Sequence, residues 1–165
     1  MRLLGLSLLA AVIAAPALAE EDEALVTYQA LKPDVAMELA AAAMAYCRDE
    51  GYQIGVSVVD RSGTLQVFLR DRYAGAHTVE TATRKAWTAV SFRTNTTDLD
   101  PVTRPEGDAY GIRFISKALP LGGGILVESG GTMVGAVGVS GAPGPDLDDD
   151  CAEAGIAAIE DKLGF

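Results

Sequence analysis

The stretch LGGGILVESGGTMVGAVGVSGAPG, residues 121–144, decides how this chain folds. Two apolar runs, 125–128 and 133–139, flank the turn signal Ser129-Gly130-Gly131, which reads as a β-hairpin. Gly122, Gly123 and Gly124 precede the first run, and Gly138, Gly141 and Gly144 lie in or after the second. Without a Cβ wall at these places, another backbone or a flat ligand can approach closely.

Working outward, residues 54–60 are β-rich, Arg61-Ser62-Gly63 turns the chain, and 64–70 returns it as an earlier hairpin. Residues 25–31 alternate weakly and read as an edge strand. Pro33 suits a first helical turn, and a helix runs from there to about Glu50, stopped by Gly51. Val35, Leu39, Ala42 and Tyr46 recur at helical spacing as its buried face. A middle helix follows the 71–76 loop, with Thr78 as cap and Glu80 in the first turn. Its stripe is Val79, Ala82, Ala86, Ala89 and Val90. Residues 95–108 read as loop, and 109–118 as short helical or irregular chain. A last helix is expected over 146–163, with Leu147, Cys151, Ala154 and Ala158 on one face. Tight turns between strand pairs mean antiparallel pairing, so the class is α+β, a sheet covered by helices.

Residues 1–19 carry Arg2, an apolar run over 3–15 and Ala17-Leu18-Ala19, the pattern of a cleaved export signal, leaving 20–165 as one domain. Export predicts a periplasmic or secreted protein with no stable membrane insertion. Cleavage leaves 12 basic residues against 23 acidic ones, a charge near −11. Such a chain repels phosphate backbones, which argues against nucleic acid as a partner. Cys47 and Cys151 are the only cysteines, and an oxidising compartment favours pairing them. Two buried thiols, or a thiolate bound to iron, are the other readings.

Four segments, in order, resemble the GlcG/HbpS family of haem-binding proteins, related to the C-terminal domain of PduO. They are Val56-Ser57-Val58-Val59-Asp60 with the Ser62-Gly63 turn, Arg84-Lys85-Ala86-Trp87-Thr88-Ala89, Gly122-Gly123-Gly124, and Gly135 to Gly141. The resemblance implies a profilin-like, five-stranded antiparallel sheet flanked by helices. It also implies homo-oligomers and haem or a related tetrapyrrole. This chain departs at His77, where many members carry a small residue.

Candidate site residues follow. His77, the single histidine, is the candidate axial iron ligand, set against a solvent-facing or cap-linked side chain. Arg84 and Lys85 are candidate partners for haem propionates or another carboxylate, with Lys85 favoured because it matches the family's lysine. Tyr73 and Tyr110 are loop aromatics able to line a pocket. Gly122, Gly123 and Gly124 lack the Gly-Lys-Ser/Thr of a phosphate loop, and serve close approach to a flat ligand or to the middle helix. Trp87 and Phe92 read as core or subunit contact. Asp146, Asp148, Asp149 and Asp150 fail calcium-loop spacing and read as a helix start.

Three functions compete. The first is an exported module binding haem, a related tetrapyrrole or a small anion, for sensing, storage or scavenging. The second is a small-molecule hydrolase or isomerase using His77, for instance with Ser140 or Ser57 and Asp60. The third is a structural or sensory oligomer subunit without cofactor.

Overall fold

The computed structural model describes residues 24–164, so the signal-peptide expectation lies outside the described residues. Both expected hairpins form. β1 (Gly55–Asp60) returns as β2 (Leu65–Arg70), and β3 (Gly124–Ser129) returns as β4 (Thr132–Ser140). Gly130 and Gly131 take φ of 54° and 75°, the paired left-handed conformation that matches strand twist in a two-residue turn. All pairings are antiparallel, in the order β2-β1-β4-β3. The central pair sets Gly55 opposite Ser140 at one end and Asp60 opposite Gly135 at the other.

The sheet has four strands, which corrects the profilin-like five-stranded expectation. Residues 25–31 take no regular secondary structure and join no ladder. Leu25, Val26 and Tyr28 stay exposed and only Leu31 reaches the core. One inward side chain is too little to fix a strand register. The segment is held instead by Gln66, whose amide donates to the Leu31 carbonyl at 3.1 Å, and by Arg61 stacked 4.6 Å from the Tyr28 ring.

Helices α1 (Pro33–Asp49), α2 (Thr78–Phe92), α3 (Thr96–Val102) and α4 (Pro145–Ala157) complete the layers. Val56, Val58, Val137 and Val139 share a core with α1 and α4 on one face. Val59 and Ala136 meet Ala86, Ala89 and Val90 of α2 on the other. With both faces covered, β1 is apolar and buried nearly throughout, rather than alternating. Contact between α2 and β4 is backbone-close. A β-carbon on Gly138 would lie 2.0 Å from the Ala82 carbonyl oxygen.

Several faces differ from the periodicity reading. α1 buries Ala36, Leu39, Ala40, Ala43, Met44 and Cys47, while Tyr46 is exposed, because α1 packs on both the sheet and α4. α4 buries Asp148, Cys151, Ala152 and Gly155, and stops at Ala157 before a 3-10 turn at Glu160–Lys162. The expected 95–108 loop contains α3, and a 3-10 turn, Tyr110–Phe114, follows. Cys47 and Cys151 form a disulfide with Cα atoms 5.6 Å apart, joining α1 to α4. No helix among the described residues is long and apolar enough to cross a membrane.

Candidate functional site

β1 and β4 end side by side at Gly55 and Ser140. The chain entering α2 and the chain entering α4 both leave from this end and enclose a cleft of about 640 Å³. That volume suits a small-molecule ligand. His77, Tyr73 and Leu121 stand at its exposed rim, and Ser140, Lys85 and Asp148 form its buried floor.

His77 occupies the N-cap position of α2, one residue before the expected cap, and its side chain caps nothing. Thr78 is the first helical residue, and its hydroxyl donates to the Gly75 carbonyl at 2.8 Å. The imidazole lies on Gly75, where a β-carbon would sit 2.5 Å from Cε1. Among the described residues the ring makes no hydrogen bond, so its nitrogens are open to a ligand. The loop that carries Tyr73 and His77 is pinned at its base. Arg48 grips the buried Asp71 with two bonds, 2.6 and 3.1 Å, and Asp71 also accepts the Arg72 N–H at 2.9 Å. The Arg48 guanidinium holds the Asp71 carboxyl below the usual carboxylate range.

Lys85 is not a solvent-facing cation. Its side chain is 1% exposed, and its ammonium donates to Asp148 Oδ2 at 2.6 Å and to the Val139 carbonyl at 2.9 Å. Asp148 Oδ1 accepts the Ala142 N–H at 3.0 Å. Burial pushes the Asp148 carboxyl up, and Lys85 pulls it part of the way back. Asp149, also pushed up by burial, accepts the Gly123 N–H and the Thr97 hydroxyl. Two of the acids read as a simple helix start therefore tie α4 to α2, to α3 and to the approach to β3. No local signal reveals the Lys85–Asp148 pair, because 63 residues separate its members.

The three glycines sit behind this lysine rather than on the open cleft. β-Carbons at Gly123 and Gly124 would lie 2.8 Å from Lys85 Nζ and 2.5 Å from the Lys85 carbonyl oxygen. Gly122 faces Thr97 and Pro145. Their close approach is to α2, α3 and α4. Arg84 leaves the cleft altogether. It holds the Ala118 and Lys117 carbonyls at 2.9 and 3.3 Å and lines a different groove.

The serine arrangement is not assembled. Asp60 lies five residues along β1 from Gly55, the partner of Ser140, which is roughly 16 Å at strand spacing. Ser140 shares a 2.7 Å hydrogen bond with Thr81, and Ser57 is fully buried. The sequence reading also passed over Gln53. The residue lines the cleft, and its Oε1 is buried with no hydrogen-bond partner among the described residues.

Helices on both faces of an antiparallel sheet thus bring an imidazole and a phenol to the rim of one cleft, over a floor in which Lys85 is paired with Asp148. The family model described as "Haem degrading protein HbpS-like" matches residues 31–157, and the chain belongs to that family. It is 35% identical over 124 residues to the corrinoid adenosyltransferase PduO of Salmonella typhimurium, covering 74% of this chain but 37% of that protein. The chain thus spans little more than a third of this curated relative. A doubly substituted HbpS of Streptomyces reticuli superposes with TM-score 0.77 at 36% identity, over 87% of this chain and 97% of that one. The crystal structure of the PduOC:haem complex superposes with TM-score 0.74 at 34% identity, over 79% and 95%.

Proposed function

We propose that this chain binds haem, or a related tetrapyrrole, in the cleft between the Tyr73–His77 rim and the chain entering α4. One observation carries the reading: the chain's single imidazole stands uncommitted at the mouth of a ligand-sized cleft, in a family with a haem-bound relative. Haem in this cleft would supply a coloured, redox-active iron. His77 is the ligand we assign to that iron, since its imidazole lines the cleft and makes no hydrogen bond among the described residues. Tyr73 and Leu121 offer ring and aliphatic surface to the macrocycle. Lys85 and Asp148 neutralise one another and keep the floor rigid. The cation beside the rim is Arg72, 5.2 Å from the Tyr73 ring, and we assign it the carboxylate edge in place of Lys85 and Arg84.

We further propose that the mature chain works outside the cytoplasm, in haem sensing, storage or scavenging, and as a homo-oligomer. The disulfide and the leader-like residues 1–19 support export. The test is a hemin titration followed at the Soret band. Stoichiometric hemin should shift the band, and His77→Ala should change its position or weaken binding. No shift with the wild-type chain refutes the reading.

A further inference from the structure

A second groove, of about 690 Å³, lies on the outer side of α2, where the Ser62–Leu65 turn and the 116–117 segment face the helix. Trp87 forms its wall. Gly63, with φ of 79°, lies so close that a β-carbon there would be 2.8 Å from the indole Cδ1. Only a residue without a side chain allows that fit, so the turn clamps the ring in one place. The indole remains half-buried, and its N–H makes no hydrogen bond among the described residues.

Two cations close the groove. Lys117 lies 5.9 Å from the Trp87 ring centroid and enters no ion pair among the described residues. Arg84 is fixed by the Lys117 and Ala118 carbonyls and by Glu80 at 3.2 Å. Three of its five N–H groups are thereby used and two remain. Glu80 is the one acid lining the groove, and it is largely exposed. In a chain of net charge −10, an ammonium held over a half-buried indole with no acid as its partner, and a fixed guanidinium beside it, form a local positive site in one groove.

We propose that this groove is a second ligand site, separate from the His77 cleft, that takes a planar aromatic carboxylate. The ring stacks on Trp87, and the carboxylate meets Lys117 and Arg84. Trp87 is the only tryptophan, so its fluorescence reports this site alone. The full chain is titrated with 4-nitrobenzoate and with uncharged 4-nitrobenzamide, reading static quenching from amplitudes at constant lifetime. The carboxylate should bind about tenfold tighter than the amide. Lys117→Gln, at an exposed position, should erase most of that difference, Glu80→Gln should widen it, and His77→Ala should leave it unchanged. Equal quenching by acid and amide overturns the proposal, as does a preference that survives Lys117→Gln or disappears in His77→Ala.

Discussion

Replacing Lys85 by methionine tests the centre of this structure. The ammonium sits 2.6 Å from Asp148, with side-chain exposures of 1% and 6%. Methionine fills much of the same volume but leaves the Asp148 carboxylate with one donor, the Ala142 N–H at 3.0 Å. Removing one member of a buried pair costs about 3–5 kcal/mol, because the other charge stays buried without its partner. At ~2–4 °C per kcal/mol for a domain of this size, melting should fall by roughly 6–20 °C. The loss should depend on pH with a definite sign. Without Lys85, burial of Asp148 is opposed only by the Ala142 N–H, so its folded-state pKa rises further above the ordinary 3.8. Between those two values the folded form holds more protons than the unfolded one, and stability falls as pH rises through the window. The deficit should be smallest in acid. The double variant Lys85→Met/Asp148→Asn removes the stranded charge while keeping an acceptor for Ala142, so its cost should drop to about 1–3 kcal/mol. Urea unfolding of the four cycle members gives the coupling. A single-variant cost under about 1 kcal/mol, the range of exposed pairs, would refute the reasoning, as would a double variant no better than the single.

Other consequences are equally direct. Cys47→Ala/Cys151→Ala opens a link between residues 104 apart, and the denaturant midpoint should fall by an amount equivalent to at most ~4–5 kcal/mol. Gly138→Ala places a methyl 2.0 Å from the Ala82 carbonyl oxygen, so α2 must lift from β4 at a cost of about 3 kcal/mol, read in the same unfolding assay. Asp71 has its pKa held below the ordinary 3.8 by Arg48, so the clamp contributes above that value and is lost as pH falls through the folded-state pKa. Hydrogen exchange of residues 71–77 should therefore quicken, relative to β4, on acidification or in Asp71→Asn.

The sequence by itself determined the two hairpins, the helices α1 and α2, and the antiparallel class. Their signals are local: turn glycines that accept left-handed φ, and apolar spacing within a single element. It also made the cysteine pair readable, because two cysteines leave one intramolecular pairing. Only the tertiary structure decided what depends on neighbours far along the chain. The buried face of α1 turned because two partners, the sheet and α4, cover it. Residues 25–31 stayed out of the sheet because a strand's fate rests on what its side chains meet. Lys85 and Arg84 are adjacent in sequence, yet helix geometry turns them by about 100° from one another. One is driven beneath β4 to Asp148 and the other outward to the Trp87 groove. Which of two neighbouring cations is buried against a carboxylate and which lines a surface groove is settled by the packing around it, and no spacing rule carries that information.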